Sequence, residues 1–480
     1  MQTVVEGRDT GRIPVAVWRT AIVLAAGSVM AGLDTSLVNV GLDAIGGKLG
    51  ASLAATQWIS SGYLLALAAA LPACGWLGRR FGSGRLWLWA LVGFTVTSAL
   101  CAAAPGIGLL IAARVLQGVT GGLLIPSGMA ILGEVAGRAG MGRVIATSSV
   151  PAILAPAVGP VVGALVIANL SWHWLFLINV PVGALGFFAG LRWVPRGEPG
   201  VAGRLDVVSL VLVVVGLPLT VYAITGATDH RSLAVPEVWI PLLGGLVALG
   251  AFAWRSLRTT APLMDLRLAR DRVFGSAAVS VFFTATALFG GLIVMPLYFQ
   301  LLRGDDIVRS GLLLMAFSLG AAAMFPVAGS LTDRYGGGIV TAAGLVVSIA
   351  TTVPMAVLPA DANLPLVEVL QVARGIGMAL AGSPTVSAAL SAVDKSQMSD
   401  ASAQVNILSR LGGALGSAIF VVLLSSGTAV GGEQALEVFH RTFWLMVIAC
   451  AIALVAAVWL TWEQRAVAAQ ARSLDTPTIN

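Results

Sequence analysis

Two charged side chains stand deep inside apolar stretches, a place where charge is costly unless it has a partner or a task. Asp34 lies in the stretch 19–42 and Arg114 in 107–131. An ionisable group inside a bilayer is unfavourable by several kcal/mol on most scales, so it is read first as functional. If both stretches are spanning helices, Asp34 lies roughly 12 Å and Arg114 roughly 10 Å from the outer ends at 1.5 Å per residue. Matching depth leads us to expect that the pair faces a common cavity and interacts. The chemistry would be proton exchange. Desolvation strengthens a carboxyl's hold on its proton and a nearby guanidinium weakens it, so small rearrangements can load or release that proton. A structural ion pair is the plainer alternative.

Other polar residues join this centre as candidates. Asn39, Gln117 and Arg374 are expected to line a substrate cavity together with Asp34, Arg374 being deep in the stretch 363–390. Arg410 and Glu368 lie near the ends of apolar stretches, where long side chains can reach the interface. Pro151, Pro156, Gly159, Pro160 and Gly163 crowd one stretch. Small residues there allow close helix approach, and proline bends a helix.

Several chemistries are disfavoured. Cys74, Cys101 and Cys450 are far apart in apolar runs and read as small buried hydrophobes, and the three histidines, His173, His230 and His440, form no metal-ligand spacing. No catalytic residue or metal site is expected. A phosphate-binding loop needs G-x-x-x-x-G-K-[ST], but the only lysines, Lys48 and Lys395, have no such surroundings. No cofactor is expected, the proton gradient being the energy source. The net charge of +6 is spread as one to three arginines at a time between apolar runs, with no basic face for nucleic acid.

The elements that must hold these residues follow from solvent. The 480 residues are 58% hydrophobic and 10% charged, against roughly 45–50% and 25% in soluble domains. A spanning helix needs about 20 largely apolar residues. Fourteen such stretches are read at 19–42, 56–77, 86–104, 107–131, 144–168, 174–194, 207–226, 236–256, 273–301, 310–332, 338–357, 363–390, 404–426 and 441–462. With a cytoplasmic N-terminus, 20 of the 28 Lys and Arg residues fall inside. Five fall outside (Lys48, Arg231, Arg303, Arg309, Arg441) and three within spans (Arg114, Arg374, Arg410). This bias agrees with the positive-inside rule. The expected setting is the inner membrane, multi-pass, with both termini cytoplasmic and the first helix retained rather than cleaved.

The chain also repeats itself. Pro72–Gly82 (PACGWLGRRFG) and Pro326–Gly336 (PVAGSLTDRYG) share Pro, Gly, Leu, Arg and Gly at an offset of 254 residues, which also carries the first span onto the ninth. The expected fold is an all-α membrane protein of two pseudo-symmetric six-helix bundles, residues 1–195 and 261–480, joined by two linker helices within 196–260. Such repeats place a binding site near mid-depth between the halves, exposed alternately to each side.

Four passages carry a resemblance to the major facilitator superfamily, in particular its fourteen-helix drug:proton antiporter branch, along nearly the whole chain. They are Leu33–Val40; Arg114–Gly118 with Gly121, Gly122 and Pro126; Gly159–Gly163; and Gly75–Gly82 with its copy Gly329–Gly336. Gln57, Trp58, Ile59 and Tyr63, and the stretch Ser171–Pro181, are similar to further family segments. The resemblance implies Asp34 as the membrane carboxylate, Arg114 as the arginine of proton transfer, and Pro156, Gly159, Pro160 and Gly163 as an antiporter motif. It implies inner-gate loops at Gly75, Arg80 and Gly82 and at Gly329, Asp333, Arg334 and Gly336. The chain departs from the family where Arg79 occupies the place of the usual loop acid, so a latch there needs a different partner. Ala155 and Ala164 replace expected glycines, and Asp43 a frequent proline. The implied activity is proton-coupled export of small amphipathic, often cationic compounds by a monomer. A proton symporter importing a metabolite, or a dedicated exporter of a natural product or lipid-like molecule, is the alternative.

Overall fold

A computed structural model of the chain describes residues 13–198, 203–230, 235–259, 262–359, 361–427 and 432–475. Among these residues the chain is helical, without strands. The first group comprises α1 (Val15–Leu49), α2 (Leu53–Ala70), α3 (Ala73–Phe81), α4 (Ser83–Ala102), α5 (Ile107–Asn169), α6 (Trp174–Leu177) and α7 (Asn179–Trp193). Then come α8 (Val207–His230) and α9 (Pro236–Arg258). The last group is α10 (Arg272–Leu297), α11 (Ile307–Tyr335), α12 (Gly337–Met355), α13 (Leu364–Ser391), α14 (Met398–Gly427) and α15 (Gly432–Asp475).

The breaks have local causes. Pro72 lacks the amide needed to continue α2, and the axes of α2 and α3 differ by 56° there. Gly137 interrupts α5 with φ 64° and ψ 171°, a left-handed conformation that glycine adopts without strain. The interruption falls between the expected spans 107–131 and 144–168. The repeated motif ends alike in both copies: Gly82 and Gly336 each have φ 88° and separate two helices by one residue.

Among the described residues ten helical segments are long and apolar enough to cross a bilayer, or eleven if α2 and α3 form one bent span. Large apolar side chains face outward, Leu185 at 72% and Phe188 at 68% exposure. Water would penalise such a surface; lipid tails do not.

Helices α1, α2, α4, α5 and α7 pack on one another, as do α10, α11, α12, α13, α14 and α15. The groups meet chiefly where α5 lies against α11, α13 and α14, and where α3 touches α14. Helix α9 packs on α8, which itself reaches both α2 and α14.

Candidate functional site

The polar centre of the first group is assembled from four helices. Asp34 of α1 and Arg114 and Gln117 of α5 are all fully buried. Arg114 Nη1 lies 2.6 Å from Asp34 Oδ2 and also donates to Gln117 Oε1 at 2.8 Å. Gln117 Nε2 donates to Asp34 Oδ1 at 2.9 Å, and Asn179 Nδ2 of α7 donates to the same oxygen at 2.8 Å. Ser98 of α4 accepts from Asn179 and donates to the Phe176 carbonyl. Arg114 Nε donates to the Ile59 carbonyl, and its guanidinium lies 4.1 Å from the Tyr63 ring centroid. Both carboxylate oxygens and most guanidinium protons are therefore satisfied without water, as a buried ion pair requires.

Close helix contacts hold this arrangement. A Cβ on Gly118 or Gly122 would overlap the Tyr63 or Leu67 carbonyl, so α2 and α5 approach at backbone distance and bring Tyr63 over Arg114. A Cβ on Gly159 would overlap the Ser36 hydroxyl, and one on Gly163 would touch Leu37 and Val40. The second part of α5 thus packs against the turns of α1 that flank Asp34. The side chains of Pro156 and Pro160 lie outside the described residues.

A cavity of about 480 Å³ lies beside this centre. Its walls come mainly from α1, α2 and α5, with Phe289 of α10 and Arg410 of α14 on the opposite side. Of the residues expected to line a substrate cavity, Asn39 does so, and it accepts a 2.6 Å bond from Ser60. Asp34, Gln117 and Arg374 are not among its lining residues. Asp34 and Gln117 are engaged in their own network behind Tyr63, whose ring faces both the cavity and Arg114. Arg374 is buried in α13, 5.5 Å from the Phe317 ring, with long bonds to Gln371 (3.5 Å) and the Ala287 carbonyl (3.4 Å). Arg410, expected near an interface, is instead a cavity wall. Its position inside an expected span was the signal; only packing showed which way it faces.

The repeated loops cross between the groups. Asp333 accepts from Arg143 Nε at 2.8 Å and from the Gly142 amide at 2.8 Å, joining α11 to α5. In the first copy, Arg79 of α3 pairs with Asp400 of α14 and also donates to the Pro262 and Leu263 carbonyls. The missing loop acid is thus matched by an acid on the opposite partner, and the pair survives with its charges exchanged. Gly75 and Gly329 make room for these contacts. A Cβ on Gly75 would overlap the Asp400 carboxylate, and one on Gly329 would stand 2.7 Å from the Arg143 Cα. Arg80 and Arg334 are exposed, Arg334 lying against Tyr335. Ser402 of α14 adds a bond to the Pro126 carbonyl at 2.7 Å.

The linker pair has its own clasp. Asp206 accepts from Arg255 Nε at 2.9 and 3.0 Å and from the Ser209 hydroxyl at 2.7 Å. Burial alone would raise its carboxyl's affinity for protons, but these bonds outweigh it and hold the group below the usual carboxylate range. Among the described residues no cluster of His, Cys, Asp and Glu is placed to hold a metal ion.

Comparison with known proteins agrees with this architecture. Residues 24–417 match the family model described as Major Facilitator Superfamily. A Mycobacterium tuberculosis protein named multidrug resistance protein B homolog is 33% identical over 417 residues, covering 86% of this chain and 77% of that protein. The tetracenomycin C resistance and export protein of Streptomyces glaucescens is 31% identical over 415 residues, covering 85% and 76%. Among solved structures, a human organic anion transporter superposes with a TM-score of 0.62 at 15% identity, covering 90% of this chain and 99% of that one. A proton:xylose symporter gives the same TM-score at 12% identity, with 90% and 95% coverage.

Proposed function

The chain belongs to the major facilitator superfamily, and from that premise we propose that it is a proton-coupled antiporter exporting small amphipathic compounds. It would sit in the inner membrane with fourteen spans and cytoplasmic termini. Residues 1–195 and 261–480 would form the two rocking halves and 196–260 the linker pair. Relatives named for multidrug resistance and for tetracenomycin export support the export direction.

The observation that carries the coupling is the fully buried Asp34–Arg114 pair, at 2.6 Å. In this arrangement Asp34 accepts hydrogen bonds from Arg114, Gln117 and Asn179. A shift of α1 against α5 that withdraws one donor leaves a poorly solvated carboxylate, which then takes up a proton. Tyr63, between pair and cavity, would transmit substrate occupancy to the pair. The Arg79–Asp400 and Arg143–Asp333 pairs close one end of the bundle. By the arginine distribution that end is cytoplasmic, so this arrangement corresponds to the state closed toward the cell. Alternating access then consists of breaking these pairs.

The energetics suffice. One charge moved through a gradient of roughly 150 mV gives about 3.5 kcal/mol. At 1.4 kcal/mol per decade, this sustains a concentration ratio of several hundred per proton. The test is efflux of a compound panel from an exporter-deficient host. Asp34→Asn should abolish efflux that depends on the proton gradient while the protein remains folded in the membrane. Wild-type efflux by that variant defeats the coupling role.

A further inference from the structure

The cavity has 20 lining residues, and one of them is charged: Arg410. Asp34, behind the Tyr63 ring, is already paired with Arg114. Among the described residues Arg410 has no hydrogen bond and no ion pair. Arg374, buried in the same half, has no carboxylate partner among them either. The chain thus places unneutralised positive charge on one wall of an otherwise uncharged chamber.

A guanidinium does not shed its proton under physiological conditions. A cation removed from water and left without a partner is expensive. Its planar fork of donors matches a carboxylate or similar oxyanion in two-point geometry, at roughly twice the strength of a neutral hydrogen bond. The rest of the lining mixes apolar and aromatic side chains, Leu64, Leu67, Met129, Phe289 and Tyr63 among them, with neutral hydroxyl and amide groups such as Thr35 and Asn39. A chamber of about 480 Å³ is within the range of small-molecule sites, roughly 300–1,000 Å³.

We propose that the exported compounds are amphipathic acids, a carboxylate or phenolate on an aromatic body, whose anionic group is held by Arg410. This rests on the antiporter reading above and names its substrate class, which thereby departs from the lipophilic cations expected from sequence. It also has an energetic consequence. Exchange of one monoanion outward for one proton inward moves two positive charges inward, so the membrane potential drives the cycle twice over.

Charge preference is read by binding, independently of transport. The full chain in nanodiscs is titrated with fluorescein, an anionic xanthene dye, and with rhodamine 6G, a cationic one, by fluorescence anisotropy. The wild type should prefer fluorescein. Arg410→Gln should weaken fluorescein about tenfold or more and leave rhodamine 6G unchanged or tighter, while Arg410→Lys retains most of the anion affinity. A wild type that prefers rhodamine 6G or binds neither dye, or an Arg410→Gln protein with an unchanged ratio of affinities, overturns the proposal. A misfolded Arg410→Gln protein would lose both dyes together, and the preference of the wild type and of Arg410→Lys then decides. Proton-driven dye uptake into inverted vesicles is scored separately. Anion-selective binding without such uptake refutes the antiporter reading but keeps the site; uptake of cations alone does the reverse.

Discussion

Asp34 and Arg114 sit at 0% exposure, with both carboxylate oxygens and the guanidinium Nε and Nη1 hydrogen-bonded. In such a pair the attraction mostly offsets the desolvation of both ions, whereas removal of one partner strands the other. Breaking a buried pair is destabilising by about 3–5 kcal/mol. Arg114→Ala should therefore lower thermal stability in detergent by that order, with a smaller loss for Asp34→Asn, whose amide keeps part of the network. The double substitution Asp34→Asn with Arg114→Gln should recover stability relative to Arg114→Ala, but not transport. A melting series paired with an efflux assay checks both. Equal stability of all four proteins would mean that the pair is hydrated and loosely coupled. Asn179 belongs to the same unit. Asn179→Ala removes a donor to Asp34 Oδ1 and the link to Ser98, and it should shift the pH dependence of efflux while leaving expression intact.

At the scale of elements, helices meet through glycines and paired charges. Helix α3 reaches α14 through Arg79 and Asp400, and α11 reaches α5 through Asp333 and Arg143. Arg79→Asp alone would set two carboxylates face to face and should stop turnover; combined with Asp400→Arg it restores the opposite-charge pair and should recover a substantial part of the rate. Failure of the double variant to exceed either single one would remove the latch from the mechanism. Bulk is as effective as charge here. Gly329→Leu, set against the Arg143 backbone, should prevent the two groups from closing and increase labelling of cysteines in that end of the bundle. The linker clasp carries a pH signature. The bonds from Arg255 and Ser209 hold Asp206 below the usual carboxylate range, so its contribution to pairing α8 with α9 is present at neutral pH. That contribution is lost as pH falls below the ordinary carboxylate value, through the lowered one. Proteolysis between α8 and α9 should thus accelerate in acid for the wild type, and Asp206→Asn should show the fast rate already at pH 7.

The whole molecule is two helical groups that touch mainly at one end, with a cavity between them. Such a body can rock about that contact, each state exposing the cavity to one side. Ser52 and Asp361 are exposed, each shortly before a helix, α2 and α13, in opposite groups. Spin labels at these positions should report two separations whose populations change with pH and with ligand. A single invariant distance is incompatible with alternating access. If the cargo is anionic, dissipating the membrane potential at constant pH gradient should slow efflux more steeply than for a neutral cargo.

The solvent, the helical class, the family and the pairing of two buried charges were all legible in the sequence, because each follows from local quantities. Apolar length, glycine and proline placement, and a 254-residue repeat survive without coordinates. Arg79 in place of an acid signalled that its partner must also differ. Tertiary structure alone identified Asp400 as that partner, 321 residues away. It also put Arg410 among the residues lining the cavity and closed Asp34 into a network with Arg114, Gln117 and Asn179. Which face of a helix meets a cavity depends on how neighbouring helices pack around it, and side chains hundreds of residues apart come within hydrogen-bond reach only once the bundle has closed.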